Sequence, residues 1–184
     1  MRPVQMSCCK TSTTRNRNFN RLNRDLQRRA TELQTLIDVL PIGIGIAEDP
    51  DCLSIRTNPA FAKMLRLPLN ANASLSAPEG ERPTFRVLHR GRELAPAEMP
   101  MQVSAAQGIE QVEVDVDIHY DDGSVVKLLE YVAPLLDEAG RPRGCVGAFL
   151  NITERTAHEA ALRHEEAKVR RLVDSNIIGV FLSL

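Results

Sequence analysis

The chain has no tryptophan, two tyrosines and five phenylalanines in 184 residues, so any core it builds is mostly aliphatic. It has no run approaching the roughly 20 apolar residues of a membrane helix, and its N-terminus lacks the apolar stretch of a secretion signal. A cytoplasmic location is the expectation. Its four cysteines are the adjacent Cys8 and Cys9 and the isolated Cys52 and Cys145. Their spacing matches neither a zinc site nor a disulfide framework, and Cys-x-x-Cys-His is absent. Reduced, structural thiols are the expectation for Cys52 and Cys145. There is no phosphate loop, nucleophile elbow or pair of catalytic carboxylates. The chain is therefore read as having no catalytic role of its own.

What is present is one module begun twice. Leu36-Ile37-Asp38-Val39-Leu40-Pro41-Ile42-Gly43-Ile44-Gly45-Ile46-Ala47 reappears as Leu172-Val173-Asp174-Ser175-Asn176-Ile177-Ile178-Gly179-Val180-Phe181-Leu182-Ser183, and internal self-similarity is the mark of tandem modules. The expectation is one complete domain, its exit helix, and a truncated start of a second domain over 172–184, with an output domain missing beyond it. Charge is uneven as well. Arg2, Lys10, Arg15, Arg17, Arg21, Arg24, Arg28 and Arg29 face Asp25 alone, so a basic arm precedes a body that carries most of the acid.

Residues 1–18, rich in Ser, Thr, Asn and Arg without an apolar period, read as a disordered arm. Phe19, Leu22, Leu26, Leu33, Leu36 and Leu40 then follow a 3-4 spacing, predicting an amphipathic helix over 19–40 that pairs with its own copy. Packing of a single copy on the following domain is the alternative. The helix must stop before Pro41. Ile42, Ile44 and Ile46 alternate with small residues as a half-buried strand, and Leu53-Ser54-Ile55 completes a hairpin. Asn58-Pro59 caps a helix carrying Phe61, Met64 and Leu65. Residues 70–97 read as an irregular loop, and Glu98–Gln107 as a helix ended by Gly108. Val112, Val114, Val116 and Ile118 alternate with acids, Asp122-Gly123 turns into a strand near Val125–Leu135, and a last strand covers Gly144–Ile152. Thr153 caps a linker helix over 154–174. This is an α+β order, with the folded domain over 41–153.

Candidate chemistry is sparse. His158 and His164 fall on the exit helix, His89 in a loop and His119 on a wet strand face, none with a metal-site companion. His164-Glu165 lacks the basic residue and proline that follow a phosphoacceptor histidine, so it reads as solvated helix surface. Glu110, Glu113, Asp115, Asp117, Asp121 and Asp122 include alternate strand positions about 7 Å apart, too far for first-shell calcium ligation. No metal site is expected. The basic arm lacks the aromatic interleaving of a nucleic-acid surface, and the reading does not favour nucleic acid or membrane contact.

The entry pattern Leu36 to Ile46, Asn58-Pro59-Ala60-Phe61, Tyr120-Asp121-Asp122-Gly123-Ser124 and Gly144-Cys145-Val146-Gly147-Ala148-Phe149-Leu150-Asn151-Ile152-Thr153-Glu154-Arg155 together resemble a PAS sensor domain with its PAC stretch, over about residues 36–156. The resemblance implies a five-stranded antiparallel sheet with helices on one face and, in many members, a ligand cleft between them. Its closing motif begins with Asp in many members; here Asn151 keeps an acceptor but no charge. Asn151, Thr153, Glu154 and Arg155 are thereby assigned to signal relay. Haem-binding and flavin-adduct members carry a histidine or cysteine that has no counterpart here, so the cofactor, if there is one, stays unassigned. If a small molecule binds, the expected walls are Ile44, Phe61, Leu65, Val103, Val114, Val116, Leu129, Tyr131 and Phe149, positions that equally suit a dry core.

The resulting expectation is a homodimeric cytoplasmic sensor and relay module of a bacterial two-component-type protein, passing a ligand- or redox-biased conformational change through dimeric helices to a missing output domain, a sensor histidine kinase. The rivals are the input region of a cyclic-di-GMP synthase or phosphodiesterase, marked by Gly-Gly-Asp-Glu-Phe or Glu-Ala-Leu downstream, and a stand-alone heterodimerising regulator.

Overall fold

The computed structural model describes residues 9–174, and side chains from 19 to 172. Two units meet at the Leu40/Pro41 junction. The first is helix α1 (Cys9–Val39), which starts ten residues before the expected Phe19. Neither glycine nor proline occurs between Pro3 and Pro41, so nothing breaks the helix and the polar composition alone does not stop it. Residues 9–18 are thus helical where disorder was expected, and 1–8 lie outside the described residues. Arg28 pairs with Glu32 at 2.8 Å, Gln34 Nε2 donates to Asp38, and the hydroxyls of Thr31 and Thr35 donate one turn back to carbonyls, all i,i+4 contacts. Phe19, Leu22, Leu26, Leu33 and Leu36 are exposed along it. Leu40 falls just past its end.

The second unit is α+β, as expected, but its sheet has seven strands, all antiparallel: β1 (Gly43–Ala47), β2 (Ile55–Thr57), β3 (Arg86–His89), β4 (Arg92–Glu93), β5 (Gln111–His119), β6 (Val125–Leu136) and β7 (Pro142–Asn151), in the spatial order β2-β1-β7-β6-β5-β3-β4. The five expected strands form one contiguous block. The additional pair comes from the segment read as irregular, where Arg90 and Gly91 both take positive φ (49° and 79°). Two such residues make the tight turn that matches strand twist. With strands of only four and two residues, too few side chains alternate to reveal the pair in sequence.

Helix α2 (Pro59–Met64) begins as predicted, with Asn58 Oδ1 accepting from Phe61 N at 2.9 Å. The helix expected at Glu98 is split. A 3-10 turn (Pro96–Glu98) is followed by extended Met99 and then α3 (Pro100–Gln107), because proline disfavours helical geometry in the residue before it. Gly108, at φ 69°, ends α3. In β5 the register slips between Gln111 and Val114, and Glu113 has φ 55°. This bulge breaks the expected alternation, and Val112 is exposed. The long helix α4 (Thr153–Asp174) follows β7 directly. The second module start expected over 172–184 lies, from residue 175 on, outside the described residues.

Candidate functional site: a cavity between sheet and helices

Strand β1 places its glycines inward. Gly43, Gly45 and Ala47 are buried while Ile44 and Ile46 are half-buried on the opposite face. In β7 the inward residues are Cys145, Gly147 and Phe149, and Gly43 pairs with Phe149 while Gly45 pairs with Gly147. These glycines form a flat floor for two rings. Phe61 from α2 stacks on Phe149 with centroids 3.8 Å apart and planes 13° from parallel. A Cβ on Gly43 would lie 2.9 Å from the Phe61 ring, and one on Gly147 2.8 Å from the Phe149 ring, so the stack exists because these positions carry no side chain.

Next in the same inward lane is Glu130 of β6, in register with Phe149 on one side and Val114 on the other. It is 6% exposed, and among the described residues its carboxyl has no hydrogen-bond or ionic partner. Burial alone pushes its pKa up to about 8, so at neutral pH the group is mostly protonated and offers both a donor and an acceptor. It borders a cavity of about 50 Å³, whose other walls include Phe61, Phe149, Met99, Met101, Gln102 and Leu128. Gln102 is held by its Nε2 donating to Ser76 Oγ at 3.2 Å. The cavity has room for a few waters or a compact molecule, and the carboxyl supplies a polar contact in otherwise apolar walls.

Of the nine expected wall residues, Phe61, Leu65 and Phe149 line the cavity. Val116 is core, with Val114 packed against it. Ile44, Leu129 and Tyr131 point to the other sheet face, and Val103 is half-buried on α3 without bordering the cavity. The inward lane of β6 is Leu128, Glu130 and Val132. Apolar residues occupy both faces of this strand and a glutamate sits in the inward one, so sequence alternation assigned the wrong phase. Glu130 was missed for that reason. Nothing local in the sequence separates it from an exposed strand acid.

A surface cluster lies behind the cavity wall Phe85, whose ring meets that of Tyr120 edge-on with centroids 6.3 Å apart. Arg66 lies 4.1 Å over the Tyr120 ring and pairs with Asp122 at 2.8 Å, while Tyr120 Oη donates to Met64 O. Hydrogen bonds from Ser124, helped by Arg66, hold the Asp122 carboxyl down at about 2.

The assigned relay residues sit at the β7–α4 joint. Asn151 Oδ1 accepts from Thr153 N at 3.0 Å, Thr153 Oγ1 accepts from Lys127 N at 2.9 Å, and Ile152 N donates to Lys127 O. Thr153 is thus the first helical residue, and the capping acceptor comes from Asn151. The joint is fastened to β6 at Lys127, whose Nζ pairs with Asp117 of β5 at 2.8 Å. Arg155 pairs with Glu159 along α4, and Glu154 is exposed in its first turn. The other candidates stand apart: His158 and His164 are exposed on α4, and His89 Nδ1 lies 2.6 Å from Asp115 O. Among the described residues there is no metal-ligating cluster and no helix long and apolar enough to cross a membrane.

No sequence family and no curated protein matches the chain. Solved structures do. A sensory box histidine kinase/response regulator from Burkholderia thailandensis is 17% identical, covering 76% of this chain and 98% of its own, with a TM-score of 0.47. The PAS domain of an HTR-like protein from Haloarcula marismortui is 16% identical, covering 72% and 99%, with a TM-score of 0.46. The PAS domain of BvgS from Bordetella pertussis is 18% identical, covering 77% and 98%, with a TM-score of 0.41.

Proposed function

We propose that this chain is a PAS-type sensory input module. It holds a compact ligand in the cavity beside Glu130 and passes the resulting change through a homodimer of its flanking helices to an output domain, a cytoplasmic histidine kinase. The observation that carries the reading is the unpartnered, buried carboxyl at a cavity in a sheet whose β6 and β7 also hold the start of α4. An unpaired polar group inside a core is costly, and a ligand with a complementary donor or acceptor offsets that cost only when it is bound. β6 carries both Glu130 and Lys127, so a shift at the cavity reaches the backbone bonds that fix Thr153 without any other intermediary. Differential ligand affinity for two arrangements of that joint is enough to shift their populations.

Native mass spectrometry of the full chain tests both parts at once. The expected spectrum is a dimer that releases a retained small molecule on activation. Leu26→Glu with Leu33→Glu should give a monomer with an unchanged sheet by circular dichroism, because these charges would be buried only in the dimer. A dimer that survives the double substitution refutes the seam, and ligand-free protein from every preparation argues against a ligand sensor.

A further inference from the structure

Cys52 and Cys145, separated by 93 residues in sequence, bring their sulfurs to 3.8 Å, and the sensory reading makes no use of them. We propose that this pair is a modification site, a dithiol that a hydroperoxide converts to an intramolecular disulfide, fastening the β1–β2 turn to β7.

The geometry supplies proximity, a shared environment and a way in. Both side chains are fully buried, and both Sγ atoms approach the Met101 carbonyl oxygen, at 3.6 Å and 3.3 Å. A disulfide needs its sulfurs about 2 Å apart, so the pair must close by slightly less than that again, within the reach of side-chain rotation between staggered wells. The backbones are already neighbours. Cys145 pairs with Ala47 at the end of β1, and Cys52 N donates to Asp49 O in the turn that follows. The residues on either side of Cys52, Asp51 and Leu53, are exposed, and Cys52 itself has φ 48°. Opening that turn breaks the bonds from Cys52 N to Asp49 O, from Leu53 N and Ser54 N to the Asp49 carboxylate, and from Ser74 Oγ to Cys52 O. The thiols become accessible while the sheet stays paired.

The two thiols are unequal. A hydrogen bond from Cys52 favours the Cys145 thiolate and lowers its pKa, while the same contact and burial push Cys52 up. Cys145 is therefore the attacking sulfur. Its thiolate attacks one oxygen of hydrogen peroxide and the O–O bond breaks, leaving Cys145 as a sulfenic acid; the hydroxide released takes up the proton Cys145 had lost and leaves as water. The Cys52 sulfur then attacks the Cys145 sulfur, and the S–O bond breaks. The departing hydroxide takes the Cys52 proton and forms a second water. Two thiols and one peroxide give one disulfide and two waters, with two electrons passing from sulfur to oxygen.

The test is peroxide treatment of the full chain in native buffer, alkylation of remaining thiols, and peptide mapping without reductant. The expected product is a Cys52–Cys145 linked peptide from monomer-sized chain, lacking both thiol hydrogens and restored by dithiothreitol. It should form equally in Cys8→Ser/Cys9→Ser. In Cys52→Ser, Cys145 should stop at the sulfenic acid and become labelled by dimedone, a signal that an inert packed thiol does not give; if that variant fails to fold, the wild-type map decides alone. Recovery of Cys52 and Cys145 as alkylated thiols, their oxidation to unlinked sulfinic acids, or linkage only in urea overturns the proposal.

Discussion

Glu130 makes the stability of this domain depend on pH with an unusual sign. In the unfolded chain its carboxyl titrates at 4.5, whereas in the native cavity burial holds it at about 8. Between those values the unfolded chain has released a proton that the native state still binds, so stability falls as pH rises. The contribution is complete below 4.5 and is lost progressively up to about 8. Each pH unit is worth about 1.4 kcal/mol, which over the whole interval amounts to about 5 kcal/mol, of which about 3 kcal/mol is gone by pH 7. Glu130→Gln removes the titration and keeps the shape. Its stability relative to wild type should therefore climb by about 1.4 kcal/mol per pH unit between pH 5 and pH 8 and level off above. The comparison cancels every other titrating group, since those are common to both proteins. The intercept depends on how an amide sits in the cavity, whereas the slope does not. Urea unfolding of both proteins in reducing buffer, followed by circular dichroism at unit pH steps, measures it. A flat difference, or one that falls with pH, means that Glu130 is ionised in the native state and has a partner, and the cavity argument fails with it.

Two further substitutions test how the cavity floor and the joint are built. Gly147→Ala places a Cβ 2.8 Å from the Phe149 ring and should cost about 1–3 kcal/mol by overpacking, whereas Ile44→Ala on the opposite face should cost about 1 kcal/mol or less; thermal melts giving the reverse order would show that the phase assigned to the paired strands β1 and β7 is wrong. Asn151→Ala removes the acceptor for Thr153 N and should weaken the first turn of α4 by about 1 kcal/mol, read as faster amide exchange there, while Asn151→Asp should preserve protection because it keeps an acceptor and adds favourable charge at a helix start. Equal exchange in all three proteins would remove the side chain from the joint.

What was legible in the sequence is what local chemistry decides. Asn58-Pro59 starts α2, Gly108 ends α3, and Asp122-Gly123 turns β5 into β6 because the cap, the left-handed residue and the tight turn each depend on a few adjacent residues. The stop before Pro100 obeys the same local rule that was applied correctly at Pro41, and so was readable. The start of α1 was missed for a different reason. Polar composition lowers the tendency to form a core, but between residues 9 and 18 it includes no residue that breaks a helix.

The faces of the strands are a different kind of information. In β1 the alternation read from sequence turns the isoleucines inward as its apolar half, whereas in the structure the inward residues are Gly43, Gly45 and Ala47, and the space above the two glycines is taken by the stacked rings of Phe61 and Phe149. In β6 a glutamate lies inward because its neighbours in register, Phe149 and Val114, belong to the buried face of adjacent strands. Cys52 and Cys145 read as unrelated until the β1–β7 pairing brings them together. In each case the deciding partner is far away in sequence, and a period of two tells which residues share a face without telling which face is buried. The candidate site consists largely of such exceptions. A floor without side chains lets the rings stack, the stack and β6 leave a cavity, and the carboxyl facing it is the residue that hydrophobic patterning would place in solvent. A group held there against its solvation preference is where sequence-level reasoning is expected to fail.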